Sequence, residues 1–221
     1  AFSEAQGAAD AATAAGEEIP EEFDLLVNAS PVGMYPKVGV SPITAEQVDL
    51  FKYVYDIVYN PAETELLRLA KEEGLHVCME TCGYSSAERY AAVAEYVDIF
   101  LWDWKLTDRE LHKMYTGVYN DLIIDNLRLL NAKGAKFILR CPIIPGVNDN
   151  DAHFCGIADA ANRYEGITAV EIEPYHPLGK AKCERLGRDY DIGDIEFPDN
   201  AKAEEWIAAI KEKTEKPVRR G

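Results

Sequence analysis

Strand-like and helix-like segments alternate along most of the chain, and this alternation limits the possible folds more than any other feature. Short apolar or β-branched runs are each followed by an amphipathic stretch, two of which stop at Gly74 and Gly134. Six segments have the pattern of strands, covering residues 24–30, 53–60, 76–81, 98–105, 135–144 and 169–175. Strands that alternate with helices pair in parallel, so the sequence predicts an α/β fold with six parallel strands in an open or partial barrel.

The predicted arrangement of these strands is one continuous sheet in chain order, in which 53–60 pairs with 76–81. The alternative is two separately packed pieces that meet at Gly74. A helix over 62–73 is predicted to pack on the outer face of the sheet, and the Ala-rich start is predicted to be helical over 3–15.

The charge balance argues against two classes of partner. The chain has 23 Lys and Arg against 39 Asp and Glu, a net charge of −16. This charge disfavours nucleic acid and anionic membrane surfaces. No apolar run reaches the roughly 18 residues of a membrane-spanning helix, and the start lacks the pattern of a signal peptide, so we expect a cytoplasmic protein. Its five cysteines form no disulfide framework and are expected to be free thiols.

Polar residues follow the fourth predicted strand in a pattern that suits a ligand. In the segment "IFLWDWK", Leu101, Asp103 and Lys105 share one face. A carboxylate and an ammonium group that point the same way at a strand end can bind a zwitterionic ligand. An ordinary ion pair is the alternative, since such pairs are common and individually weak.

Three other predicted strand ends are also polar. Glu80 and Thr81 end the third strand, Arg140 lies near the end of the fifth, and His176 follows the sixth. Taken singly, Arg140 fits a structural ion pair and His176 a surface loop. The carboxyl ends of parallel strands meet at one edge, where active sites of such folds form, so the four ends together favour a ligand site.

Four segments between about residue 75 and the end of the chain stand out: "EEGLHVCMETCGY", "VDIFLWDWKLTDRELHKMYTGV", "NLRLLNAKGAKFILRCPIIPGVND" and "EIEPYHPLGKAKCERLG". In their order and spacing, this part of the chain resembles the glycyl-radical-enzyme activating enzymes of the radical S-adenosylmethionine superfamily, the pyruvate formate-lyase activase group. The resemblance implies that residues 75–221 are the C-terminal part of an activase barrel. It also implies a glycyl-radical enzyme, of unknown identity, as the partner.

The resemblance implies roles for individual residues. S-adenosylmethionine would be bound by Asp103, Lys105, Arg140 and His176. A monovalent cation beside the ligand would be held by Glu80, Thr81, the carbonyl of Leu101 and Asp103.

The iron–sulfur motif of that superfamily is incomplete. Its members bind a [4Fe–4S] cluster with C-x3-C-x2-C after the first strand, and "CMETCGYS" has the first spacing but Ser85 at the third position. Cys78 also lies in the strand that the resemblance places third. We therefore interpret Cys78 and Cys82 as incidental thiols and expect no cluster and no catalytic residue in this chain. The Gly-Gly-Glu segment that grips the ligand's amino group is absent too.

Residues 1–74 carry a second resemblance, on "FDLLVNASPVGMYP" and "YVYDIVYNPAETELLRLAKEEG", to the nucleotide-binding Rossmann half of shikimate dehydrogenase. It implies a vestigial dehydrogenase site at Asn28, Ser30, Met34 and Tyr59. In this interpretation, residues 1–74 supply the first two strands of the sheet and the loops that follow them. No G-x-G-x-x-G turn is present to cradle phosphates, so NADP is not expected to bind.

Three functions remain open at this point: an activase-type protein with weak S-adenosylmethionine binding, an NADP-dependent dehydrogenase remnant, and a non-catalytic α/β hybrid.

Overall fold

The computed structural model describes residues 23–58, 61, 64–176, 187 and 195–221. The predicted helix over 3–15 lies outside these residues. No helix within the described part of the chain is long and apolar enough to cross a membrane.

The described residues form one sheet of parallel strands in chain order. Its strands are β1 (Phe23–Asn28), β2 (Phe51–Asp56), β3 (His76–Thr81), β4 (Ile99–Asp103), β5 (Phe137–Ile143), β6 (Ile167–Pro174) and β7 (Val218–Arg220). The predicted α/β fold and single sheet are confirmed, because β2 pairs with β3 from Tyr53 opposite His76 to Asp56 opposite Met79.

The predicted count of six strands misses β7, which pairs in parallel with β6. This strand has three residues, of which only Val218 is buried, so no period-2 pattern marks it in the sequence.

Helices connect the strands: α1 (Ala45–Val48), α2 (Glu65–Glu72), α3 (Ala87–Val93), α4 (Arg109–Thr116), α5 (Asp121–Ala132), α6 (Asp151–Arg163) and α7 (Asn200–Lys211). Of these, α4 was not predicted, although Asp108 caps its start and Gly117 ends it with φ of 85°.

Helix α2 shows how the sequence sets these connections. The hydroxyl of Thr64 accepts a hydrogen bond from the backbone N–H of Leu67, and Gly74 leaves the helix in the left-handed region at φ 72°. Leu66 and Leu67 are fully buried against the sheet. With Thr64 as its N-cap, the helix covers Glu65–Glu72 and is shorter than the predicted 62–73.

The two faces of the sheet differ. One face packs against the helices and supplies the core, which includes Phe100, Trp102 and Phe137 with ring centroids 5.6 to 6.4 Å apart. The other face, here called the open face, is only half-buried along the middle strands. Parallel sheets normally bury both faces. The open face is an exception, because its half-buried side chains leave strand surface accessible within the described residues.

Candidate functional site

The carboxyl ends of β3, β4 and β5 bring three of the predicted site residues onto the open face. Glu80 lies in register with Leu101, and Asp103 lies in register with Arg140. Residues in register on neighbouring strands point to the same face, and all four are half-buried while the residues between them are buried. The sheet thus places two carboxylates and a guanidinium group side by side.

Four side chains form what we call the open-face cluster: Tyr55, Glu80, Arg140 and Glu173. The Nη1 of Arg140 donates to Oε1 of Glu80 at 2.7 Å, and its Nη2 forms an ion pair with Glu173. The hydroxyl of Tyr55 donates to the other carboxylate oxygen of Glu80. The side chains of Arg140 and Glu80 keep 23% and 32% of their surface exposed, so a ligand can reach both charges.

The pKa shifts in this cluster follow from burial and from the charges facing one another. Burial opposes the charge of Arg140, but the carboxylates of Glu173 and Glu80 outweigh it and raise the pKa of the guanidinium. Burial raises the pKa of Glu173 despite the opposing attraction of Arg140. Burial and the hydrogen bond to Glu80 raise the pKa of Tyr55, which therefore acts as a neutral donor.

The predicted pair after β4 is formed. Nζ of Lys105 lies 3.0 Å from Oδ2 of Asp103, and the two side chains are 40% and 22% exposed. At this exposure the pair contributes little to stability, about 0 to 1 kcal/mol. Both side chains are partly exposed and remain accessible to a ligand.

The predicted binding residues open into separate cavities. A cleft of about 510 Å³ is lined by Glu80, Thr81 and Asp103, three of the four residues of the predicted cation site. Arg140 and His176 line a second cavity of about 420 Å³. Volumes of this size suit a small molecule.

Thr81 is the one predicted cation-site side chain that faces away from the open face. It is 8% exposed, its hydroxyl lies 2.7 Å from the hydroxyl of Tyr90, and it accepts a hydrogen bond from the backbone N–H of Gly83. Gly83 has φ of 76°, and a Cβ there would meet the Trp102 ring at 2.3 Å. The turn after β3 therefore needs glycine at residue 83 in order to pack against Trp102, and the hydrogen bond to Thr81 stabilises the turn.

The cysteines near this turn do not suit a [4Fe–4S] cluster. Cys78 is half-buried on β3, and burial, with Glu80 nearby, raises the pKa of its thiol to about 11, which disfavours the thiolate that iron requires. Cys82 is exposed. Within the described residues, no group of three or more His, Cys, Asp or Glu side chains is arranged to hold a metal ion.

A second polar group at the same sheet edge, here called the buried polar cluster, consists of Asn28, Asp56 and Thr64. Asp56 accepts hydrogen bonds from Nδ2 of Asn28 (3.1 Å), the hydroxyl of Thr64 (2.7 Å) and the backbone N–H of Val58 (2.9 Å). Asn28 also accepts from the hydroxyl of Ser30 at 2.7 Å. These bonds tie the loop after β1 to β2 and to the start of α2.

Some residues of the predicted dehydrogenase site thus form hydrogen bonds that stabilise the fold. Asn28 is 3% exposed, while Ser30 and Met34 are half-buried. Tyr59 lies outside the described residues.

Tyr55 and Asp56 were not predicted as site residues from the sequence, and Glu173 was given no role. The strand register indicates two of them as site residues. Tyr55 pairs with Cys78, which lies two residues before Glu80 on the same face of the sheet. Glu173 pairs with Pro142, which lies two residues after Arg140 on the same face. Asp56 is a lone carboxylate in an aromatic strand and is fully buried, so it needs hydrogen-bond partners.

The comparisons with known proteins concern the family and the fold of the chain. The sequence model of the Radical SAM superfamily matches residues 53–156, a range that includes part of the segment assigned above to the second resemblance. The trans-4-hydroxy-L-proline dehydratase activating enzyme of Clostridioides difficile is 36% identical over 145 residues, 63% of this chain and 47% of that protein. The isethionate sulfite-lyase activating enzyme of Nitratidesulfovibrio vulgaris is 40% identical over 132 residues, 59% of this chain and 42% of that protein.

A solved structure shows the same fold. A domain of a pyruvate-formate lyase-activating enzyme from Bacteroides vulgatus superposes with a TM-score of 0.57 and 20% identity, covering 71% of this chain and 88% of that domain. The chain spans less than half the length of the two curated relatives named above. Over about three fifths of its own length, this chain is similar in sequence to activating enzymes of glycyl-radical enzymes, and the Radical SAM superfamily model matches just under half of it.

Proposed function

We propose that the open face of this chain binds S-adenosylmethionine as part of an activase-type radical SAM protein whose partner is a glycyl-radical enzyme. The observation that carries the proposal is the convergence of Glu80, Asp103 and Arg140 at the carboxyl edge of the sheet. Asp103 pairs in register with Arg140, Arg140 forms an ion pair with Glu80, and all three side chains stay partly exposed. The relatives activate several different enzymes, so the identity of the partner is not part of the proposal.

The charges available suit the two ends of this ligand. Asp103 and Lys105 offer a carboxylate and an ammonium group to the amino and carboxylate groups of the methionyl part. Arg140 and His176 share the neighbouring cavity and are the proposed contacts for the rest of the ligand. We assign the monovalent cation to oxygen donors, which hard cations prefer, on Glu80, the Leu101 carbonyl and Asp103. The fourth predicted donor, Thr81, faces the helices with its hydroxyl bonded to Tyr90, so its hydroxyl is not part of this set.

The superfamily match implies a [4Fe–4S] cluster, which in such proteins supplies the electron that cleaves S-adenosylmethionine. The described cysteines do not fit this cluster, for the reasons of burial and pKa given above. We therefore propose that the described residues bind and orient the ligand and that they do not perform the cleavage.

We further propose that the chain is a hybrid, in which residues 1–74 derive from a shikimate dehydrogenase-like Rossmann fragment and residues 75–221 from the activase barrel. The support is the sequence resemblance around Asn28 and the way the buried polar cluster joins β1, β2 and α2 as one local unit. Crossovers between parallel strands are right-handed, so two βα units from one family can continue the parallel sheet of another. A join near Gly74 is therefore compatible with the pairing of β2 with β3.

The experiment is a parallel titration of the purified chain with S-adenosylmethionine and with NADPH. Without the cluster and the Gly-Gly-Glu grip, we expect S-adenosylmethionine to bind with Kd near 1 mM, about −4 kcal/mol, measured by calorimetry. Enhancement of NADPH fluorescence without S-adenosylmethionine binding would favour the dehydrogenase remnant. Absence of both signals would favour a non-catalytic α/β protein.

A further inference from the structure

Lys105 lies beyond the end of β4, so its position depends on contacts outside the strand ladder. The strand ends at Asp103, and the segment 104–107 then crosses the carboxyl edge of the sheet. Before Lys105, the backbone N–H of Trp104 donates to the carbonyl of Arg140 at 2.8 Å. After it, the backbone N–H of Thr107 donates to Nδ1 of His153 at 3.2 Å.

Asn148 makes the contact at Lys105 itself. Its Nδ2 donates to the carbonyl of Lys105 at 3.0 Å and to the carbonyl of Pro142 at 2.8 Å, while its Oδ1 accepts from the backbone N–H of Ile144 at 2.7 Å. The side chain is 1% exposed, and these three bonds fix the orientation of its amide. Asn148 thus joins the loop after β4 to the loop after β5.

His153 supports this arrangement from the other side. Its Nδ1 accepts from the backbone N–H of Thr107, and its ring lies beside the Asn148 amide, whose two hydrogens go to the carbonyls of Lys105 and Pro142. The ring is 4% exposed. Backbone on both sides of Lys105 is therefore anchored to β5 and to the start of α6.

The position of the Lys105 ammonium follows from this anchoring. The carbonyl of Lys105 is bonded to Asn148, and its side chain reaches Asp103, with Nζ 3.0 Å from Oδ2. The carbonyl of Pro142, the other acceptor of Asn148, lies two residues beyond Arg140 on β5. One buried amide therefore joins the backbone of Lys105 to the strand that carries Arg140.

We propose that Asn148 is a positioning residue that holds Lys105 against Asp103 and thereby fixes the ammonium group at the ligand-binding edge. Its importance for S-adenosylmethionine rests on the proposed function, whereas its effect on Lys105 does not. Each half of the proposal has its own readout.

Asn126 provides a matched control. It too is a buried asparagine, 1% exposed, whose Nδ2 donates to two loop carbonyls, those of Gly83 (2.9 Å) and Ser85 (2.7 Å). It makes none of the bonds to the loop that carries Lys105. We expect loss of its amide to destabilise the fold in a similar way without releasing Lys105.

The first readout is the rate of acetylation of Lys105 in the folded protein, followed by mass spectrometry with the exposed Lys133 and Lys136 as internal standards. An exposed ion pair slows such labelling modestly, so Asn148→Ala should raise the Lys105 rate about three-fold and Asn126→Ala should leave it unchanged. Should Asn148→Ala fail to fold, Asn148→Asp keeps the size of the side chain and the acceptor for Ile144 but removes both donors. An unchanged rate in the Asn148 variants, or an equal rise in Asn126→Ala, would overturn the proposal.

The second readout is a double-mutant cycle on S-adenosylmethionine affinity. Asn148→Ala should weaken binding about ten-fold in the wild-type background and have no further effect in the Lys105→Ala background, because the amide acts through that lysine. Equal losses in both backgrounds would overturn the positioning role. If the wild-type chain does not bind S-adenosylmethionine, the proposed function fails, and the labelling rates still decide the role of Asn148.

Discussion

Tyr55 and Asp56 are consecutive residues of β2, yet they belong to two clusters with different properties. Asp56 points towards the helices and is fully buried in the buried polar cluster, where three donors satisfy it. Tyr55 points the other way and joins the half-exposed open-face cluster through Glu80. Both clusters lie at one edge of the sheet. The side of the strand decides whether a polar group holds the fold together or remains available to a ligand.

The largest expected effect comes from removing the centre of the buried polar cluster. Asp56→Ala leaves Thr64, Val58 and Asn28 with unmatched donors in the interior, so we expect the free energy of unfolding to fall by about 3 kcal/mol in urea denaturation. Asp24→Ala, at an exposed ion pair with Lys52, should cost less than about 0.5 kcal/mol. Equal effects from the two changes would remove the distinction between the clusters.

A second buried group, His153, should make the free energy of unfolding depend on pH. Burial lowers the pKa of His153 to about 4 from an ordinary value of 6.5. The unfolded chain therefore binds the proton first, and the stability that neutral His153 contributes is present above pH 6.5 and is lost as the pH falls through 4. We expect a loss of about 2 kcal/mol across that window.

His153→Asn keeps an acceptor for Thr107 but does not titrate. Its free energy of unfolding should vary less between pH 6.5 and pH 4 than that of the wild type, as followed by thermal unfolding at several pH values. A wild-type slope retained in this variant would mean that another group controls the acid response.

The open-face cluster should respond in the opposite way to the buried one. Glu80→Gln keeps the shape of the side chain and removes a charge from a half-exposed pair with Arg140, so stability should change by less than about 1 kcal/mol. Affinity for S-adenosylmethionine should fall, because Glu80 is a proposed ligand of the cation. A stability loss as large as that of Asp56→Ala, with affinity unchanged, would show that Glu80 is structural.

Much of this arrangement could be predicted from the sequence, because the alternation of apolar strands and capped helices determines both the sheet and its carboxyl edge. The pairing of β2 with β3 and the meeting of Asp103 with Lys105 follow from it. Strand β7 could not be predicted, because three residues with one buried side chain carry no periodic signal. The bonds of Asn148 join loops that are distant in sequence, and only the folded edge brings their carbonyls within reach of one amide.

The smallest expected effect concerns the two cysteines near the edge. Cys78→Ser combined with Cys82→Ser should alter the free energy of unfolding by less than about 0.5 kcal/mol, because Cys82 is exposed and Cys78 half-buried. Anaerobic reconstitution with iron and sulfide, followed by desalting, should leave the wild type without a cluster. Retention of about four irons per chain, lost in the double variant, would restore the cluster ligand role of these residues.

The most direct test of the account is the affinity of the open face for S-adenosylmethionine with and without Asp103. Asp125→Ala is the control, since it removes the same charge from an exposed pair with Arg128. We expect calorimetry to give a Kd near 1 mM for the wild type and for Asp125→Ala, and at least about ten-fold weaker binding for Asp103→Ala. Binding that is unchanged by Asp103→Ala would contradict the assignment of the ligand site to this edge of the sheet.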